Sequence, residues 1–184
     1  MNGANAFFKV LQLNKHLTRL ARYRAQGVEH IGVVLQDHVI DIHSAAPSLP
    51  GSIRQILEES EWAINVIVGI STGPIQHSLA EIELLAPIPD PQKILAIGMN
   101  YKAHAEEARK LGIQVPNGQM WFNKQVSAVS GPRDAILNPN GTETLDYEGE
   151  LGVVIGRKCR AVSAEAAEES IAGWLVCNDV SVRE

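Results

Sequence analysis

Asp146-Tyr-Glu148-Gly-Glu150-Leu-Gly-Val-Val-Ile155 sets three carboxylates directly ahead of an apolar run of strand length. On a strand, successive side chains alternate between faces, so Glu148 and Glu150 share one. A second apolar run, Trp174-Leu-Val-Cys177, ends in Asn178-Asp179 and can bring Asp179 to the same point from a neighbouring strand. Converging carboxylates repel one another unless a cation neutralises them. A hard divalent ion taking oxygen ligands, Mg²⁺, Mn²⁺ or Ca²⁺, does so. The competing reading is a set of polar residues on the exposed face of a sheet. Like charges two apart on one face speak against it, as does an aspartate placed directly behind four apolar residues. Asp146 shares the face of Glu148 and is either a further ligand or a cap of the turn after Gly141.

The chain on either side of these phrases punctuates itself clearly. Residues 17–24 alternate like a strand, and Ala25-Gln-Gly27 is a turn. Ile31 to Leu35 is an apolar run, Gln36-Asp37 a tight turn, and His38 to Ile42 a return strand, which together predict an antiparallel meander. Ser52 is the expected N-cap of a short helix ending near Ser60, with Ile53, Ile56 and Leu57 on one face. Ala63 to Ile70 is apolar and fits a helix or a strand. Three prolines within Ala86-Pro-Ile-Pro-Asp-Pro91 predict an extended connector. Beyond it, Lys93 to Gly98 reads as a strand, and Asn100 as the cap of a helix that Gly112 stops near Leu111. Ser163 opens an alanine-rich helix expected to end at Gly173, and Trp174 to Val182 returns as a strand whose apolar run predicts burial on both sides in the complete fold.

Composition excludes several classes. The chain has 184 residues, 45 % hydrophobic and 20 % charged, as in ordinary globular proteins. A net charge of −5 argues against a nucleic-acid partner. No apolar run approaches the ~18 residues of a membrane span, so no membrane partner is expected. The two cysteines, Cys159 and Cys177, offer no disulfide framework and fit a reducing, cytoplasmic setting. The first 28 residues lack Asp and Glu but carry Lys9, Lys15, Arg19, Arg22 and Arg24. That composition is compatible with organelle targeting. The plainer reading, adopted here, makes residues 1–16 an N-terminal extension.

A second constellation lies on the helix after Gly98. His104 and Glu107, three apart, share one helical face, where a carboxylate can orient an imidazole and favour its protonated form. Such a pair makes a general base. It is also common on solvated helices, where it does nothing. His16, His30, His38, His43 and His77 show no ligand-like spacing and are expected to be surface residues. No Cys–His cluster suggests zinc, no phosphate loop follows Gly98, and no nucleophile elbow surrounds Ser127, Ser130 or Ser181.

Four phrases in order, KILAIGMNYKAHAEE (93–107), MWFNKQVSAVSGP (120–132), LDYEGELGVVIGRKCR (145–160) and IAGWLVCNDVSVRE (171–184), resemble the motifs of the fumarylacetoacetate hydrolase family. Residues 17–43 resemble the small N-terminal domain that many bacterial members carry. The resemblance implies an α+β, mostly β protein. Its parts would be the extension 1–16, a small β-rich domain at 17–85, a Pro-rich linker at 86–92, and the first part of a mixed β-roll catalytic domain at 93–184. It further implies a divalent metal, Mg²⁺ or Mn²⁺, with Ca²⁺ left open by the carboxylate pattern. Glu148, Glu150 and Asp179 match the ligands, and His104 and Glu107 match a dyad that deprotonates a water. Arg183 matches an arginine that holds the substrate oxyanion or carboxylate, and Lys124 a lysine at the substrate mouth.

The substrates implied are small 2-oxo or enol acids. The expected reaction is metal-dependent hydrolysis of a C–C bond in a 2,4-dioxo acid of acylpyruvate or fumarylpyruvate type. The alternatives are isomerisation or decarboxylation of a hydroxymuconate-type 2-oxo acid, decarboxylation of oxaloacetate, or an inactive remnant. A calcium-binding structural module would fit the carboxylates but leave His104 and Glu107 idle. Ile97 stands where fumarylacetoacetase has a further metal-binding aspartate, so the chain resembles the three-carboxylate bacterial group. Family members run on beyond the position of Glu184, so this chain is expected to be part of a longer protein. Cut there, it is expected to be poorly soluble and nearly inactive alone. A homodimer is the expected assembly.

Overall fold

The computed structural model describes residues 11–13, 18–58 and 61–183. These are strand-rich with short helices, a mixed α+β arrangement. Asp90–Val129 forms a compact unit of its own, and the described residues up to Pro89 and from Ser130 onward form another.

In the larger unit the meander forms as the turns predict. Strands β1 (Leu11–Leu13), β2 (Arg19–Ala25), β3 (Val28–Leu35) and β4 (His38–Asp41) come first. β2 pairs with β3 and β3 with β4, both antiparallel. Gln26 and Gly27 take φ of 50° and 81°, and Gln36 takes 52°, so both turns run through left-handed backbone. Such turns match the twist of paired strands. Helices α1 (Ile42–Ala45), α2 (Ile53–Glu58) and α3 (Glu61–Val68) follow. Ser52 caps α2 as expected, its Oγ accepting from the Gln55 N–H at 3.1 Å. The ambiguous apolar run is a helix, and α3 buries Ala63 and Ile67.

Strands β5 (Gln76–Ser78) and β6 (Glu83–Leu85) return to the sheet, β5 on β4 and β6 on Arg22–Arg24 of β2. Leu11, Leu20, Ile31, Val33, Ile42, Ile53, Ile56 and Ile67 form the core between sheet and helices. Each such fully buried aliphatic side chain stabilises the fold by about 1.5–3 kcal/mol.

β1 corrects the reading of the chain start. Residues 1–16 are expected as an extension, yet Leu11 and Leu13 are buried and β1 pairs with the beginning of β2. Alternating Leu-Gln-Leu buries two leucines in the core, which outweighs the cost of ordering them. The remainder of that extension, His16 included, lies outside the described residues.

In the smaller unit, β7 (Ile94–Gly98) pairs antiparallel with β8 (Met120–Lys124), and α4 (Lys102–Lys110) lies between them in sequence. Asn100 is not its cap; the N-cap is Tyr101, with no side-chain hydrogen bond. Met99 at φ 52° supplies the bend out of β7, so the helix begins one residue later than the Asn suggests. At the other end Gly112 takes φ 75°. Its N–H donates to the Arg109 carbonyl and that of Ile113 to the Ala108 carbonyl. That double closure is why a glycine stops the helix.

The larger unit is completed by β9 (Leu145–Asp146), β10 (Gly149–Ile155), α5 (Ala164–Glu168), β11 (Ile171–Asn178) and β12 (Ser181–Val182). Ser163 caps α5, accepting from the Ala166 N–H at 3.3 Å. The helix stops at Glu168 rather than at Gly173, which lies inside β11. β10 and β11 pair antiparallel, and β1 pairs with Gly173 and Trp174 of β11. The main sheet order is therefore β10-β11-β1-β2-β3-β4-β5. A Cβ on Gly173 would stand 2.3 Å from the Gln12 carbonyl oxygen, so only glycine lets the two strands meet there.

β11 has one face covered and one open in this chain. Leu175 joins the core and Cys177 packs against it, while Val176 and its partner Leu151 face outward at 58 % and 57 % exposure.

Candidate metal and catalytic site

The period of two predicted for the acidic phrase is visible in the burial of residues 147–155. Glu148, Glu150, Gly152 and Val154 are half-buried, whereas Tyr147, Gly149, Leu151, Val153 and Ile155 are exposed. Glu148 and Glu150 therefore share the inward face. The antiparallel register sets Glu150 opposite Cys177 on β11, whose thiol donates to the Glu150 carbonyl at 3.6 Å.

Asp179 follows β11 and is tied to Glu148 through the main chain. Its N–H donates to the Glu148 carbonyl at 2.8 Å, and the Glu148 N–H donates to Asn178 Oδ1 at 2.8 Å. The Cys177 thiol reports on the charges around it. Burial, then the carboxylates of Glu150 and Asp179, push its pKa up to about 11. Both acids thus lie near one half-buried sulfur, with the Glu148 main chain bonded to that of Asp179.

Arg183 answers part of this negative charge. Its Nη2 lies 3.0 Å from Glu148 Oε2, and its Nε donates to Asp146 Oδ2 at 3.2 Å. These contacts, Asp146 first, hold the guanidinium still more firmly protonated than usual. The Asp146 carboxylate also accepts from the Tyr147 N–H at 2.9 Å, so Asp146 serves Arg183 and its own turn rather than a turn at Gly141. Pairing of β9 with β12, Asp146 opposite Ser181, brings the arginine there.

Among the described residues, no three Asp, Glu, His or Cys side chains are drawn into a ligating cluster. Glu148 pairs instead with Arg183. Glu148, Glu150 and Asp179 nevertheless suit a hard divalent ion: they offer oxygen donors, they are half-buried, and three carboxylates outnumber the Arg183 guanidinium that pairs with Glu148.

The smaller unit carries His104, Glu107 and Lys124. α4 buries Ala105 and Ala108 and leaves His104 and Glu107 exposed. Their spacing puts them on one face as predicted, but no hydrogen bond joins them. Lys124 ends β8, opposite Ile94.

Sequence reasoning missed two features. His30 and His77 are not surface residues: they pack with Tyr23, the His30 ring stacked on it at 5.3 Å and the His77 ring edge-on at 5.7 Å. Burial, then Asp41, pushes the Tyr23 phenol pKa well up. His30 Nδ1 lies 2.7 Å from Asp41 Oδ2, and Asp41 is only 4 % exposed. The hairpin register foretells this contact, because Gly32 faces Asp41 and His30 is two residues from Gly32 on the same face. The second missed feature is Asn178, whose signal is an amide side chain at the end of an apolar strand.

Comparison with known proteins extends these observations. The profile of the fumarylacetoacetate (FAA) hydrolase C-terminal family matches residues 93–184. The chain is 39 % identical over 158 residues to the mitochondrial oxaloacetate tautomerase of Xenopus laevis, covering 84 % of this chain and 48 % of that protein. It is 36 % identical over 189 residues to the fumarylacetoacetate hydrolase domain-containing protein 2 homolog of Dictyostelium discoideum, covering 100 % and 58 %. Among solved structures, a maleylpyruvate hydrolase from Sphingobium, in complex with manganese(II) and pyruvate, superposes with TM-score 0.70 at 30 % identity. That match covers 89 % of this chain and 59 % of the other. The chain thus spans about half the length of the curated relatives it matches. With its acidic strand motifs, its fold and the match over residues 93–184, the chain belongs to the fumarylacetoacetate hydrolase family.

Proposed function

We propose that this chain belongs to a metal-dependent enzyme acting on small 2-oxo acids through their enol form, and that its reaction is keto–enol tautomerisation of oxaloacetate. The observation that supports the reading is the main-chain bond from the Asp179 N–H to the Glu148 carbonyl at 2.8 Å, which ties the backbones of two of the three acids together, with Glu150 two residues on from Glu148 and half-buried like it. Similarity to the Xenopus oxaloacetate tautomerase points to the substrate.

Glu148, Glu150 and Asp179 would hold Mg²⁺ or Mn²⁺. When bound, the ion would act as a Lewis acid toward the 2-oxo oxygen of the substrate. Arg183 would orient a substrate carboxylate, for which a planar guanidinium is suited by geometry. His104, oriented by Glu107, would take a proton from C3 while the 2-oxo oxygen gains one. Composition is conserved, because the product is an isomer. Lys124 would contribute positive charge toward the dicarboxylate.

A second reading has its own support. The Sphingobium neighbour is a maleylpyruvate hydrolase, and in that chemistry the same dyad would deprotonate a water for C–C cleavage. One experiment separates the two. The full protein with Mn²⁺ is given oxaloacetate freshly dissolved as the enol, and loss of the enol ultraviolet band is followed. In parallel, pyruvate release from acylpyruvates is assayed. Faster enol loss without pyruvate release is the expected result. Pyruvate release with no effect on the enol would replace tautomerisation by hydrolysis.

A further inference from the structure

We infer that Asn178 is a positioning residue that clamps the Glu148 peptide and so sets the spacing of Glu148 from Asp179. The inference rests on the metal reading above for its consequence but not for its geometry.

The Glu148 peptide lies in the two-residue gap between β9 and β10, where the ladder supplies no regular partner. A half-buried N–H or carbonyl left there without a partner would cost about 1–3 kcal/mol. Both groups are satisfied from the same two residues. The N–H of Glu148 donates to Asn178 Oδ1 at 2.8 Å, and its carbonyl accepts from the Asp179 N–H at 2.8 Å. The two bonds fix both sides of the Glu148 α-carbon. Its side chain can then turn about its own bonds, but its root cannot drift from Asp179.

Only an amide or carboxylate of this length meets the need. The acceptor must extend one side chain beyond β11 to reach the opposite main chain. An aliphatic side chain offers no acceptor, and a serine hydroxyl is too short. Ser181 completes the arrangement, its Oγ donating to the Asp179 carbonyl at 3.2 Å and holding the turn that carries Asp179. Asn178 itself sits opposite Gly149, where no cross-strand side chain competes with it. In catalytic metal sites, removing a residue that orients a ligand costs about 10- to 100-fold in affinity.

The test uses amide hydrogen exchange on the metal-free protein and Mn²⁺ binding read by the loss of its free electron paramagnetic signal. In Asn178→Ala, the Glu148 amide should exchange about tenfold faster while amides of β2 and β3 keep their rates. Mn²⁺ affinity should fall about 10- to 100-fold. Asn178→Asp, which retains an oxygen at the same reach, should restore Glu148 protection. If Asn178→Ala does not fold, Asn178→Ser carries the same expectation. An unchanged Glu148 amide, or equal acceleration throughout the sheet, would overturn the positioning role. A freed Glu148 amide with unchanged Mn²⁺ affinity would overturn its bearing on the ligands. Wild-type protein that takes up no Mn²⁺, while Asn178→Ala still frees the amide, would overturn the metal reading and leave the clamp standing.

Discussion

Arg183 and Glu148 form an ion pair at 3.0 Å, with side chains 49 % and 25 % exposed, at the edge of the acidic face. A pair this open is worth at most about 1 kcal/mol to stability. Its weight falls on the site instead. Arg183→Ala should therefore change the urea midpoint little, tighten Mn²⁺ by removing a competing cation, and weaken a dicarboxylate analogue such as oxalate. Tm, Mn²⁺ titration and oxalate calorimetry on one variant read all three. Loss of stability without change in either affinity would assign Arg183 a structural role only.

His104 and Glu107 lie exposed on α4. His104→Ala in the full protein should lower kcat by about 10²–10⁴ and leave Mn²⁺ affinity unchanged. Glu107→Gln should give a smaller loss, because it orients the imidazole without carrying the proton. A fall in Mn²⁺ affinity with kcat preserved would make His104 a ligand.

Gly173→Ala would drive a Cβ into the Gln12 carbonyl where β1 meets β11. A destabilisation of about 1–3 kcal/mol is expected, as for other overpacked sites. Hydrogen exchange should show β1 opening first. Wild-type stability would mean that the β1–β11 pairing does not form in solution.

Asp41 is buried, caps α1 through the Ser44 N–H at 2.6 Å, and meets His30 at 2.7 Å. Asp41→Ala removes both roles and should cost about 2–4 kcal/mol, whereas Asp41→Asn keeps an acceptor for the cap and should cost less. Chemical denaturation of the two variants checks the order.

Cys177 is half-buried, with its thiol pKa pushed up to about 11, while Cys159 is exposed. At neutral pH iodoacetamide should modify Cys159 readily and Cys177 only after denaturation. The raised value also fixes a sign. The folded state holds the Cys177 proton more tightly than the unfolded state, so this contribution is intact below the unfolded thiol pKa. It is lost as pH rises from about 9 toward about 11. Cys177→Ser should flatten stability over that window.

Much of the local structure is legible in the residues alone. Short-range rules suffice where a feature depends on one turn or one cap: the left-handed turns at Gln26-Gly27 and Gln36, the caps at Ser52 and Ser163, the stop at Gly112. The shared face of Glu148 and Glu150 is equally local, because alternation is a property of a single strand. The motif order from Lys93 to Glu184 likewise carried the family without coordinates. Tertiary structure decided what depends on partners far away in sequence. Leu11–Leu13 became a strand because β2 and β11 both offered an edge, and two leucines found the core there. β11 faces outward at Val176 because sheet packing, not apolar content, sets which side is covered. Arg183 reached Glu148 only through the β9–β12 pairing, and Asn178 clamps Glu148 only because the β10–β11 register sets it opposite Gly149. A strand's pattern names its faces. Which strand lies against each face is settled by the free energy of packing the whole sheet, to which distant residues contribute as much as near ones.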